Sequence, residues 1–160
     1  MRITILAVGK PGPLVRDAIV EYELRIRRYW QLDVAVVREH RRTRGTSVRE
    51  VVQREGQLLL QQLPAGTELA ALTRCGTTWN SLELATYLQE LAGDGRAGVT
   101  FAIGGAYGLD EIVMERAERR LALSALTLPH DLARLILAEQ LYRAGTIMRN
   151  EPYHKTANKS

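Results

Sequence analysis

Apolar and polar positions along the chain follow two periods in turn, and each switch between them marks a new element. The stretch "RITILAVG" (2–9) alternates as a strand, and 14–29 follows with Leu14, Ala18, Ile19, Tyr22 and Leu24 at helical spacing. "LDVAVVRE" (32–39) is a second strand. "SVREVVQREGQLLLQQL" (47–63) is a helix opening on Ser47, with Glu50 at the spacing of a capping box. "TELAALT" (67–73) is a third strand, and Asn80 or Ser81 caps the helix "LELATYLQELA", which ends before Gly93. "GVTFAIGG" (98–105) is a fourth strand, "DEIVMERAERR" (110–120) a short helix with Asp110 as its candidate cap, and "LALSALTL" (121–128) a fifth strand. A last helix runs from about Asp131 to Met148.

Strands alternating with helices in this way predict an α/β fold, a parallel sheet covered on both faces by helices. Ligands of such sheets bind in the crevice at the carboxyl ends of the strands. Three segments fall there: "LTRCGTTW" after the third strand, "IGGAYGLD" after the fourth and "TLPHD" after the fifth.

Composition narrows the class. The 160 residues predict a single domain over 1–155, with "TANKS" (156–160) as a loose tail. A hydrophobic fraction of 46% beside 25% charged residues fits a globular protein and excludes a disordered or fibrous chain. Cys75 stands alone, so there is neither an internal disulfide nor a cysteine zinc site. His40, His130 and His154 have no metal-ligand spacing, and no metal is expected. No apolar run is long enough to cross a bilayer, and the short alternating run at the N-terminus lacks the marks of a signal peptide. A cytoplasmic protein with no membrane partner is expected.

The net charge is +4, and three of the 22 basic residues are lysine, so the excess is carried by 19 arginines. Guanidinium groups bind phosphate bidentately and stack on bases, which is compatible with RNA. "REHRRTR" (38–44) reads either as a phosphate clamp or as a solvated loop, and Tyr29 and Trp30 in "RIRRYW" either stack on bases or join the core. "GGAYG" (104–108) is neither a GxGxxG fingerprint nor a phosphate loop; it is a tight turn or a place where a ligand meets bare backbone. Glu139 and Arg143 are spaced for an intrahelical ion pair, and His130 beside Pro129 reads as a structural loop residue. No serine–histidine–acid set or carboxylate pair stands out. A basic α/β domain with few acid–base groups suits transfer of a group from an already activated donor, of which S-adenosylmethionine is one.

Taken together and in one register from Met1 to Lys155, "ITILAVGK", "IGGAYGL", "LSALTLPHDLARLILAEQLYRA" and "IMRNEPYHK" resemble the small SPOUT-class methyltransferases. These modify N3 of a pseudouridine in bacterial large-subunit (23S) ribosomal RNA. The resemblance implies a parallel sheet whose C-terminal part is tied into a trefoil knot, a homodimer, S-adenosylmethionine as methyl donor and the assembled ribosome as substrate. It places cofactor contacts on Leu72, Gly104, Leu123, Ser124, Ala125, Leu126, Thr127 and Leu128, a site made mainly of backbone. In the dimer it brings Arg143, Tyr153 and His154 to the acceptor base as catalytic candidates. His154 or a nearby water would assist loss of the N3 proton, and Arg143 would hold RNA phosphate or stabilise the imide anion. With no added RNA-binding domain, recognition would rest on ribosome shape and a basic dimer surface. Ala106 and Tyr107 fill the variable middle of the Gly-Gly-x-x-Gly turn, and "TANKS" runs past the family's usual ending. Two other classes compete: an RNA- or ribosome-binding factor without activity, and a nucleotide or flavin domain, which would need phosphate-loop residues that are absent.

Overall fold

A computed structural model describes residues 1–155, so the expected tail at 156–160 lies outside the described residues. Along the chain come β1 (Arg2–Val8), α1 (Pro13–Ile26), β2 (Gln31–Val37), α2 (Val48–Gln61) and β3 (Thr67–Thr78). They are followed by α3 (Ser81–Gly93), β4 (Gly98–Ile103), α4 (Glu111–Arg116), β5 (Arg119–Ala122) and α5 (His130–Met148). The strands pair in the order β2-β1-β4-β3-β5, every pair parallel.

Alternation along each strand divides the core in two. In β1, Ile3, Ile5 and Ala7 point into one cluster with Ile26 of α1, Leu88 of α3 and Leu137 of α5. Leu6 and Val8 point the other way, onto Leu59 of α2 and Val113 of α4. The sheet is therefore covered on both faces, as the alternation of periods requires. β4, in the centre, is buried at every position, which its run "GVTFAI" anticipates. Phe101 within it is fully enclosed, a burial that contributes about 1.5–3 kcal/mol.

The helix starts follow local chemistry. Ser47 and Glu50 form the expected capping box at α2, Asn80 and Glu83 form another at α3, and the Asp110 carboxylate accepts from the Ile112 N–H at 3.0 Å. Pro13 occupies the first turn of α1, where its missing N–H costs nothing.

The fifth strand differs from expectation. It spans Arg119–Ala122 rather than 121–128, and α4 stops at Arg116 because Ala117 is already extended. The charges of "RR" belong to an exposed edge strand: the Arg119 guanidinium donates to Glu68 Oε1 at 3.0 Å, and that of Arg120 donates to the Met114 carbonyl. Residues 123–129 leave the sheet. β3 in turn runs further than expected, to Thr78, pairing with β5 on either side of a register break between Leu72 and Thr77. Among the described residues, no helix is long and apolar enough to cross a membrane.

Candidate functional site

The three strand-end segments meet. Residues 72–75 from the irregular stretch of β3, 103–109 from the end of β4 onward, and Leu123, Ser124, Leu126, Thr127, Leu128 and His130 after β5 line one cleft of about 530 Å³, within the range of sites that enclose a small organic ligand. Of the expected cofactor positions, Leu72, Gly104, Leu123, Ser124, Leu126, Thr127 and Leu128 lie on its wall. Ala125 sits in the same segment but does not line the cleft.

Each wall has a local cause. The Gly108 N–H donates to the Gly105 carbonyl at 3.1 Å, and Gly108 has φ +82°, so the glycine segment folds back on itself. A Cβ on Gly104 would lie 2.4 Å from the Gly108 carbonyl carbon, so only glycine lets the turn close there. "GGAYG" is therefore a tight turn, and its residues line the cleft. In the facing segment, Ser124 Oγ accepts from the Leu126 N–H at 2.9 Å, bending the chain and leaving Leu126 74% exposed. A leucine that covers no core is an apolar surface available to a ligand. Arg74 Nη1 donates to Thr127 Oγ1 at 3.1 Å and ties the β3 wall to this segment.

No carboxylate lines the cleft; its titratable side chains are those of Arg74, Cys75, Tyr107 and His130. His130, read from sequence as a plain loop residue, is the first residue of α5 and a wall residue. Asp131 beside it accepts from the Gly12 N–H at 3.1 Å, which fastens the loop after β1 to the start of α5. The cleft segments were legible as strand ends, but nothing in the sequence singled out Arg74 within them.

Arg143, Tyr153 and His154 lie elsewhere in this chain, and none of them lines the cleft. The Tyr153 ring packs edge-on against Tyr142 at 4.7 Å, and its hydroxyl reaches Tyr22 of α1 at 3.4 Å. Arg143 makes the expected pair with Glu139, 2.6 Å from its oxygen, and its guanidinium lies 4.9 Å from the Tyr153 ring centre. Burial, then bonds to Tyr22 and Glu139, hold the Tyr153 hydroxyl far above the ordinary phenol range. The hydrogen bond to Glu139 raises Arg143 further above its already high value. Both ring nitrogens of His154 are enclosed without a hydrogen-bond partner among the described residues.

Glu55 was missed by sequence reasoning because it sits at a polar position of an amphipathic helix. It is buried, its Oε1 accepts from the His40 N–H at 3.0 Å, and its Oε2 has no partner. Desolvation raises its pKa above the usual carboxylate value, opposed by the bond from His40. A Cβ on Gly105 would lie 3.0 Å from that free oxygen, so Glu55 abuts the back of the glycine turn.

Proteins similar to this chain in sequence are named as methyltransferases. Residues 1–154 match the family described as "Predicted SPOUT methyltransferase". The chain is 47% identical over 156 residues to the ribosomal RNA large subunit methyltransferase H of Gemmatimonas aurantiaca, covering 97% of this chain and 100% of that one. It is 42% identical over 159 residues to the protein of the same name from Acetivibrio thermocellus, again covering 97% and 100%. A solved structure, a probable methyltransferase from Bordetella pertussis Tohama I, superposes with a TM-score of 0.57 at 17% identity over 90% of this chain and 94% of that one; this likeness concerns the fold alone.

Proposed function

Because the chain belongs to the SPOUT methyltransferase family, we propose that it methylates N3 of a pseudouridine in large-subunit ribosomal RNA, with S-adenosylmethionine as donor and the assembled ribosome as substrate. One observation carries the cofactor assignment: seven of the eight positions expected from sequence to hold it lie on one cleft of suitable size.

The residues present fit that group. Leu72, Leu123, Leu126 and Leu128 offer apolar walls, and Gly104, where a Cβ would meet the Gly108 backbone, lets the turn close so that its main chain lines the cleft. The backbone of 123–128 supplies donors and acceptors for an adenine edge, and Arg74 is the cationic side chain available to a carboxylate. When bound, S-adenosylmethionine supplies a methyl group already activated by its sulfonium, so the protein need only align the acceptor, exclude water and help remove one proton.

The acceptor side is completed in a homodimer, where α5 and the C-terminal segment carrying Tyr153 and His154 of one protomer border the cleft of its partner. His154, whose ring nitrogens have no hydrogen-bond partner among the described residues, or a water beside it, takes the N3 proton. Arg143, permanently charged, stabilises the imide anion or holds an RNA phosphate, and Tyr153 borders the base. The knotted path belongs to the same proposal and rests on membership of the SPOUT family. The chain would work as a single domain over 1–155, in the cytoplasm where ribosomes are. His154→Ala tests the acceptor side: we expect the rate of methyl transfer to fall by about 100-fold with cofactor affinity unchanged. Full activity in that variant would remove His154 from the chemistry.

A further inference from the structure

We propose that the loop Arg38–Arg44 is a phosphate-contacting surface for the ribosomal RNA, held in place beside the cofactor cleft by buried Glu55. The inference rests on the ribosomal substrate proposed above and adds where on the protein that RNA is gripped.

The loop leaves β2 at the carboxyl edge of the sheet, the edge that also carries the cleft. Its base is fixed. The Gly9 N–H donates to the Val37 carbonyl at 3.0 Å, and Gly9 sits between the Glu39 carboxylate and the His130 ring, each 3.4 Å from the position of a Cβ there. His130 is a cleft residue. One residue further along, the His40 N–H is held by Glu55, whose other oxygen abuts Gly105 of the cofactor turn. Burying a carboxylate with one oxygen unpartnered is unfavourable by itself, and what it secures here is the position of this loop against the glycine turn.

The tip has the opposite character. Arg38, Arg41, Arg42 and Arg44 are exposed, and among the described residues none of them is in an ion pair. Of the fifteen arginines elsewhere, seven (Arg2, Arg25, Arg96, Arg116, Arg119, Arg134 and Arg143) meet a carboxylate, so the loop is set apart by gathering four unpaired guanidinium groups within seven residues. With Glu39 counted against its four arginines, the loop carries a formal charge of +3 within a chain of net charge +4. Like charges gathered in seven residues repel one another, and a solvated loop has no need of a buried anchor. A polyanion resolves both features: guanidinium forks pair with phosphate oxygens, and a fixed base sets the distance between those phosphates and the methyl donor.

The test compares Arg41→Ala/Arg42→Ala/Arg44→Ala with a control, Arg28→Ala/Arg96→Ala/Arg116→Ala, taken from the opposite edge of the sheet. Methyl transfer to sub-saturating ribosomes is followed as a function of potassium chloride, and S-adenosylmethionine binding is measured by calorimetry. Each lost phosphate contact removes about one unit from the slope of log rate against log salt, so the loop variant is expected to lose about two to three units. Its KM for ribosomes rises, while kcat and cofactor affinity stay at the wild-type values. A loop variant with the wild-type slope, or a control that flattens it equally, overturns the assignment of the loop and leaves the enzyme's substrate untouched. A wild-type protein that transfers nothing to ribosomes overturns the substrate itself, and the loop's RNA with it.

Discussion

Arg143 and Tyr153 converge on one carboxylate oxygen. Glu139 Oε1 accepts from Arg143 Nη2 at 2.6 Å and from the Tyr153 hydroxyl at 3.0 Å, so a residue of α5 fixes the segment that carries Tyr153 after the helix. Burial and these bonds keep the phenol protonated, and the bond to Glu139 keeps the guanidinium charged, far beyond neutral pH. In the proposed reaction this leaves both groups to bind or stabilise the base, with the N3 proton going elsewhere. We expect Tyr153→Phe to lower methyl transfer by about tenfold, the value of one lost hydrogen bond, without moving any midpoint of the pH–rate profile between about pH 6 and about pH 10. Loss of an alkaline limb in the variant would show that the tyrosine titrates in the working range after all.

The glycine turn gives a test confined to the cofactor. Gly104→Ala places a methyl group 2.4 Å from the Gly108 carbonyl carbon, against backbone that cannot swing aside. The turn must open, at a stability cost of about 1–3 kcal/mol, and S-adenosylmethionine affinity should fall by at least about tenfold. Gly93→Ala, where nothing lies within 4 Å, serves as the control and should bind as wild type. Equal affinity in the two variants by calorimetry would place the cofactor away from this turn.

Glu55 makes stability depend on pH in an unusual direction. Its folded-state pKa is raised by burial, above the value in the unfolded chain. The folded state therefore holds the proton more tightly, and this contribution to stability is fully present below the unfolded pKa. It is lost as pH rises through the folded pKa, the reverse of an ion-paired carboxylate. Glu55→Gln keeps a neutral group of the same shape and removes the effect. The melting temperatures of wild type and Glu55→Gln should converge in acid and separate above the ordinary carboxylate range, with the variant the more stable there. A gap that widens towards acid instead would mean that Glu55 is stabilised as the anion.

The layers of this fold were legible because both faces of the sheet are buried, which forces period two on the strands and period 3.6 on the helices. The capping boxes at Ser47 and Asn80 were legible for an equally local reason. The fifth strand was misplaced because "LALSALTL" mixes two uses of leucine. Leu121 packs into the core, while Leu126 is exposed on the wall of the cleft, and hydrophobicity alone does not tell a core from a ligand wall. Arg119 and Arg120 look like the polar face of a helix until Glu68 and the Met114 carbonyl, brought close by the sheet, explain them as edge-strand charges. Glu55 was illegible because its role depends on His40, fifteen positions away, and on Gly105 in another strand-end loop.

The most direct measurement is transfer of labelled methyl from S-adenosylmethionine to assembled ribosomes that lack the modification, followed by mass spectrometry of the nucleosides. We expect label in one nucleoside of the large-subunit RNA, N3-methylpseudouridine, and its disappearance with Gly104→Ala. Absence of label from large-subunit RNA, in a protein that binds S-adenosylmethionine in this cleft, would contradict the proposed substrate while leaving the cofactor site in place.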